Sequence, residues 1–142
     1  MSENIRVIAL FVIRRDDSIL VFEAFDSAMG SPFYRPLGGG VKRGETSEAA
    51  IVREIREELS LEIMDLHLLG TLENIFTYEG ELGHEAVFVY EGRFADTASY
   101  AVEEFTVTED DGSALSARWI PLQFFDDYHR LVPRGLKELI DA

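Results

Sequence analysis

The stretch GGVKRGETSEAAIVREIREELSL, Gly39 to Leu61, passes directly from a glycine-rich loop into a helix. From Thr46 onward the apolar period is helical: Ile51, Ile55 and Leu59 recur at i, i+4 and i+8, with Val52 beside them. Thr46 is placed to cap the helix, Glu48 suits its electropositive first turn, and Ala, Glu, Arg and Leu fill the interior. Glu54, Glu57 and Glu58 fall within an arc of about 100°, and Glu58 borders the apolar stripe at Ile51. Two carboxylates about 6 Å apart repel by roughly 3 kcal/mol at an effective dielectric near 20. Stability alone gives no reason for that placement. A hard cation held by oxygen ligands turns the repulsion into attraction, and Mg²⁺ or Mn²⁺ is the natural occupant. Arg53 precedes Glu57 by one turn in the order that stabilises a helix less, so orienting a carboxylate is the better account of it. A glutamate-rich helix by itself is also what a solvated acidic face looks like.

Outward from this helix the chain reads as strands. Gly38, Gly39 and Gly40 in a row suit backbone that must approach something closely. Phe33 to Pro36 is a short extended piece, because Pro36 disfavours the helical region at Arg35. Asp26 to Ser31 is a loop, while Ile5 to Ile13 and Ile19 to Phe25 are strands joined by a hairpin turn across Arg14 to Ser18. Downstream, Leu66 to Leu72, Ile75 to Tyr78, Ala86 to Tyr90 and Ala117 to Pro121 read as strands, with a turn at Gly80 to Gly83. Glu103 to Gly112 reads as an exposed acidic stretch, and Pro133 to Ile140 as a short helix with Pro in its first turn. Strands around one strongly patterned helix give a layered α/β or α+β domain. The 142 residues, without repeat or linker, fit a single domain, 1–142.

The order Gly39, five residues, Glu45, seven residues, then Arg53-Glu54-Ile55-Arg56-Glu57-Glu58-Leu59-Ser60-Leu61 resembles the Nudix box. Only Ser60 departs, standing where the pattern has Gly. A left-handed helix end favours Gly, so Ser60 costs stability but removes no chemical group. The flanking strands, and Trp119-Ile120-Pro121-Leu122 before a C-terminal helix, are similar to that family as well. The resemblance implies an α/β/α sandwich with a mixed central sheet, and a hydrolase of nucleoside diphosphates linked to another moiety. It implies Glu54, Glu57, Glu58 and a backbone carbonyl at Gly38 or Gly39 as ligands of Mg²⁺ or Mn²⁺. Glu45 would be a supporting carboxylate and Arg53 would orient the glutamates. Water would attack one phosphorus while the cations neutralise charge on the leaving diphosphate. In this family a carboxylate outside the box often supplies a further ligand or the base. Glu85, at the mouth of the apolar strand Ala86 to Tyr90, is the candidate.

For the substrate, Arg35, Lys42 and Arg43 flank the glycine loop and suit phosphate. Phe76 and Tyr78 alternate on one strand face and can stack on a base. Tyr78 lies 17 residues after Leu61, similar to the tyrosine marker of dinucleoside polyphosphate hydrolases. The proline marker of ADP-ribose hydrolases is absent, since Phe76 and Thr77 stand there. Dinucleoside polyphosphates therefore lead over nucleotide sugars, ADP-ribose and modified nucleoside triphosphates. The rival reading is a Nudix-fold sensor that binds a nucleotide without cleaving it, and the intact set Arg53, Glu54, Glu57 and Glu58 argues against that. His84 beside the turn reads as solvated, and Trp119 as packing.

Composition limits the partners. An apolar share of 46% supports a real core, and the absence of cysteine excludes disulfides and thiolate metal sites. Lys and Arg number 13 against 27 Asp and Glu, a formal net charge of −14. Such a surface repels polyanions, so general nucleic-acid binding is not expected. A small phosphorylated substrate needs local Arg, Lys or a cation to reverse the sign. No apolar run is long enough to span a bilayer, and Met1-Ser2-Glu3-Asn4 lacks the basic start of a secretory signal. The expectation is a cytoplasmic protein acting on a small nucleotide, with a homodimer left open.

Overall fold

A computed structural model describes residues 4–109 and 111–142. In chain order its elements are β1 (Arg6–Val12), β2 (Arg14–Arg15), β3 (Ser18–Asp26), β4 (Ser31–Gly40), α1 (Ser47–Leu59), β5 (Ile63–Tyr78), β6 (Glu81–Phe94), β7 (Glu104–Thr108), β8 (Ala114–Pro121), β9 (Arg130–Leu131) and α2 (Leu136–Asp141). The sheet runs β5-β6-β1-β4-β3-β8-β7, with β2 on β3 and β9 on β4. It is mixed: β1 is parallel to β6 and β9 to β4, and the other pairs are antiparallel.

The continuous apolar run of β1 is explained by burial on both faces. Ala9, Phe11 and Ile13 join Ala50, Ile51 and Ile55 of α1 in one core. Ile8, Leu10 and Val12 join Leu136 and Ile140 of α2 in another. Alternate residues of one strand thus serve two helices, and the layers are α/β/α. Ile51 and Ile55 are fully buried, each contributing about 1.5–3 kcal/mol. At the start of α1 the Thr46 hydroxyl accepts from the Ala49 N–H at 3.1 Å. At its end Ser60 takes φ +59°, and its N–H reaches the Arg56 carbonyl at 2.9 Å. A side chain in that left-handed conformation costs about 1–2 kcal/mol.

The glycine loop proves to be strand. β4 pairs antiparallel with β3 through Ser31–Pro36, and antiparallel with β1 through Leu37–Gly40. Yet β1 and β3 leave their own hairpin as antiparallel neighbours, Leu20 N–H to Ile13 carbonyl at 3.3 Å. No straight strand runs antiparallel to both members of an antiparallel pair, so β4 turns sharply after Pro36. Gly38 makes the turn possible: its φ is +151°, and a Cβ there would lie 2.0 Å from the Ala9 carbonyl oxygen. The two ladders splay from this bend as facing walls. Their far tips meet again, where the Glu79 carboxylate accepts from the Ser27 N–H and hydroxyl and from the Ala28 N–H. Asp26 accepts from the Glu79 N–H in return.

Several expectations are corrected by this arrangement. Leu66 to Leu72 and Ile75 to Tyr78 are one strand, β5, because the polar Glu73 and Asn74 between them stay paired with Ala86 and Glu85 without a shift of register. The acidic stretch contains β7, whose alternation buries Phe105 and Val107. The C-terminal helix begins only at Leu136, because Gly135 before it takes φ +92° and cannot be helical. Glu85 is interior to β6 rather than at its mouth. Met1 to Glu3, and Asp110 of the acidic stretch, lie outside the described residues. Among the described residues no helix is long and apolar enough to cross a membrane.

Candidate active site

On α1 the row Ala50, Glu54, Glu58 lies one residue behind Ile51, Ile55 and Leu59, so two carboxylates enter the core border with the apolar stripe. Glu54 and Glu58 are only 9% and 8% exposed, whereas the Glu57 side chain is 48% exposed. Bare backbone faces them. A Cβ on Gly39 would lie 2.5 Å from the Glu54 carboxyl carbon, and the Gly38 N–H favours the ionised form of Glu58.

Arg53 ties this helix face to the strand before it. Its Nε and Nη2 donate to the two Glu45 oxygens at 2.8 and 2.9 Å, and Nη2 also reaches the Gly40 carbonyl at 3.0 Å. Its Nη1 donates to Glu54 at 3.0 Å and to Glu57 at 2.8 Å. All five N–H donors of the guanidinium are thereby engaged. None remains for a substrate. These hydrogen bonds hold the Glu45 carboxyl down to about 2 and raise Arg53 above its ordinary value. Glu45 also accepts from the Lys42 N–H at 3.0 Å, which closes the loop between β4 and α1.

Glu58 is in the opposite condition. Burial, and then the charges of Glu54 and Glu109, push its carboxyl up to about 8, against the pull of Arg35 and the Gly38 N–H. Its Oε1 is buried and has no hydrogen-bond partner. An unpartnered carboxylate oxygen, a second buried carboxylate and a glycine cradle that any side chain would fill make a hard oxygen donor set. That set fits a divalent cation of the Mg²⁺ or Mn²⁺ type. Glu57 is not gathered into it, being held by Arg53, and among the described residues no three carboxylate or imidazole side chains converge on one point.

Beside this corner, between the splayed walls, lies a cleft of about 500 Å³. One wall carries Phe22 and Ala24 of β3 with Phe33 and Arg35 of β4; the other carries Arg6, Asn74, Phe76, Tyr78 and Glu85. Arg35 is half-buried, its guanidinium 5.2 Å from the Phe22 ring centre and its Nε buried without a hydrogen-bond partner. Burial lowers its pKa, while Glu85, Glu58 and Glu109 raise it. Arg35 is thus the shared neighbour of Glu58 from the box helix and Glu85 from the opposite wall. Glu85 is 9% exposed, within 3.4 Å of Asn74 Nδ2 and 4.0 Å of Arg6 Nη1. Arg130 stands over Phe33 at 6.0 Å, and Phe33 meets Tyr78 edge to face at 5.7 Å.

The cleft therefore unites Arg35, Phe76, Tyr78 and Glu85. Lys42 and Arg43 are exposed and do not line it. Arg6, Asn74, Glu109 and Arg130 line it without having been singled out in the sequence. Arg6, a lone charge at the head of an apolar strand, carried a signal of the kind that marked Glu85. The other three sit in polar surroundings and carried none. His84 pairs with Glu73 at 3.3 Å, and Trp119 is buried with its Nε1 donating to the Val102 carbonyl at 2.8 Å.

Comparison with known proteins adds a family model, the NUDIX domain, that matches residues 3–140. An RNA pyrophosphohydrolase of Hydrogenovibrio crunogenus is 26% identical over 97 residues, covering 60% of this chain and 59% of that protein. An oxidized purine nucleoside triphosphate hydrolase of Danio rerio is 32% identical over 99 residues, covering 66% and 64%. The chain thus spans under two thirds of each of these relatives. A MutT NUDIX hydrolase from Burkholderia pseudomallei superposes with a TM-score of 0.68 at 25% identity, covering 98% of both chains.

Proposed function

The chain belongs to the Nudix family, and from that premise we propose that it is a divalent-metal-dependent hydrolase of a diphosphate linkage in a nucleoside diphosphate derivative. The observation that carries this reading is the buried pair Glu54 and Glu58 against bare Gly39, with Glu58 Oε1 unpartnered. Mg²⁺ or Mn²⁺ held there by Glu54, Glu58 and the Gly39 carbonyl, with Glu57 joining them by turning from Arg53, would supply charge neutralisation on the diphosphate and acidify water. Arg53 positions the glutamates and takes no part in substrate binding, since its donors are spent. Arg35, which lines the cleft, pairs with phosphate oxygens through its guanidinium. Glu85 accepts the proton of the attacking water as its oxygen bonds to phosphorus and the bridging P–O bond breaks. Phe76 and Tyr78 take the base.

A cleft of about 500 Å³ suits one nucleoside moiety with its phosphates. In a dinucleoside polyphosphate, the leading candidate, the second nucleoside then lies outside, and the exposed Lys42 and Arg43 are the cations proposed to meet its phosphate chain. The net charge of −14 weighs against a long polyanion as substrate. Nucleotide sugars, ADP-ribose and modified nucleoside triphosphates are the next candidates, and the setting is cytoplasmic. The test is a screen of these nucleotides with Mg²⁺, with Mn²⁺ and with excess chelator, reading released products. Hydrolysis should vanish with chelator and return with either metal. Full turnover after metal removal would sink the reading, and binding without cleavage would make the chain a sensor.

A further inference from the structure

We infer that Gly83 is a positioning residue for substrate recognition, one that lets the Phe76 ring lie flat on β6 as a platform for a planar ring of the ligand. The inference rests on the cleft being a nucleotide site, as proposed above. Phe76 and Gly83 are directly paired across β5 and β6. A Cβ built on Gly83 would lie 2.3, 2.6 and 2.7 Å from Cζ, Cε2 and Cε1 of Phe76. Three ring carbons thus converge on the side chain that is missing, and the ring covers the Gly83 Cα.

The same hairpin holds a second glycine for contrast. Gly80 takes φ +79° with nothing within 4 Å of its Cβ position, so the turn requires it for its backbone. Gly83 is not in the left-handed region, and any residue could adopt its conformation. What it supplies is space. An aromatic laid across a glycine shields the ladder beneath it. Here it also keeps the ring against its own wall, leaving the cleft open between Phe76 and the Phe22 and Arg35 wall. A side chain at 83 lifts the ring into the space that a base would occupy. A flat aromatic face is sequence-tolerant towards bases, since each presents a π-face.

The test uses the whole protein and calorimetric binding of ADP, GDP, CDP, UDP and inorganic pyrophosphate with Mg²⁺. Gly83→Ala should weaken the nucleoside diphosphates about tenfold, within the range that loss of base–aromatic stacking gives, and leave pyrophosphate unchanged. Phe76→Leu should do the same, and the double variant should be no worse than Phe76→Leu alone. Additive losses, equal weakening of pyrophosphate, or unchanged nucleotide binding would each overturn the inference. Should Gly83→Ala fail to fold, the double variant decides, because without the ring it must bind as Phe76→Leu does. Hydrolysis without any preference for nucleosides over pyrophosphate sinks this inference and spares the hydrolase reading. The expected binding pattern without hydrolysis does the reverse.

Discussion

Arg53 gathers Gly40, Glu45, Glu54 and Glu57, all within a few turns of chain. Phe76 shares its cleft with residues drawn from β1, β3, β4 and β6 and from the segment around Arg130. The first region is charged, local and cross-bonded. The second is aromatic, assembled from distant strands, and has arginines as its cations. Chemistry that needs carboxylates at fixed spacing can be written on one helix, because the helix itself sets the spacing. Recognition of a base and its phosphates needs two facing surfaces, which only the bend of β4 creates.

Glu85 is where this division is easiest to break. It belongs to the recognition wall by topology but is assigned a proton-transfer role. Glu85→Gln should lower kcat by about 10²- to 10⁴-fold, the usual contribution of a positioned base, with substrate affinity and melting temperature nearly unchanged. A loss confined to KM would return Glu85 to recognition, acting through Arg6 and Arg35. Glu57→Gln sharpens the other side. Partners that merely orient metal ligands cost 10–100-fold when replaced, so a ligand itself should cost at least about 100-fold in kcat/KM. Being half-exposed, Glu57 should give up that rate without loss of fold, as thermal melting in chelator would show. Activity at the wild-type level would make this carboxylate a surface charge.

The smallest expected effect is a pH dependence. Glu58 is pushed up to about 8 by burial and by Glu54 and Glu109, from an ordinary value of 4.5. The folded state then binds more protons than the unfolded one between these values, so metal-free stability falls as pH rises from about 4.5 to 8. Melting in chelator should therefore decline across that window, and Mg²⁺ should restore more stability near pH 8 than near pH 5. An equal metal increment at both values would show that Glu58 gives up no proton to the cation.

The contrast also explains what was legible in the sequence. Glu54, Glu57 and Glu58 could be placed on one face because helical periodicity converts sequence distance into angle, and the Thr46 cap followed from the same local chemistry, whereas Gly39, Glu45 and the left-handed end at Ser60 were legible through the resemblance to the Nudix box. Ile5 to Ile13 was legible as a strand, while the burial of both its faces follows from α1 and α2 packing on opposite sides of it. Asn74, Glu109 and Arg130 could not be found, since their role depends on which walls the sheet brings together. β7 was hidden because its buried Phe105 and Val107 stand among acids. The glycines were legible as close-approach backbone, but not as a change of strand direction. That follows only from β4 pairing with both β1 and β3.

Gly38 turns β4, and Gly39 next to it lies bare against the Glu54 carboxylate. The angle between the cleft walls and the placement of a buried carboxylate of the proposed metal site are therefore one mechanical variable rather than two. A ligand that spreads the walls would shift the backbone against which Glu54 rests, and whatever fixes Glu54 would stiffen the walls. Descendants of this sequence cannot widen the cleft at the bend without retuning the chemistry. Trimming or enlarging side chains along the walls leaves the bend alone, so new substrates are reached most readily through positions such as Phe22, Phe33 and Phe76, while the corner at Gly38 stays fixed.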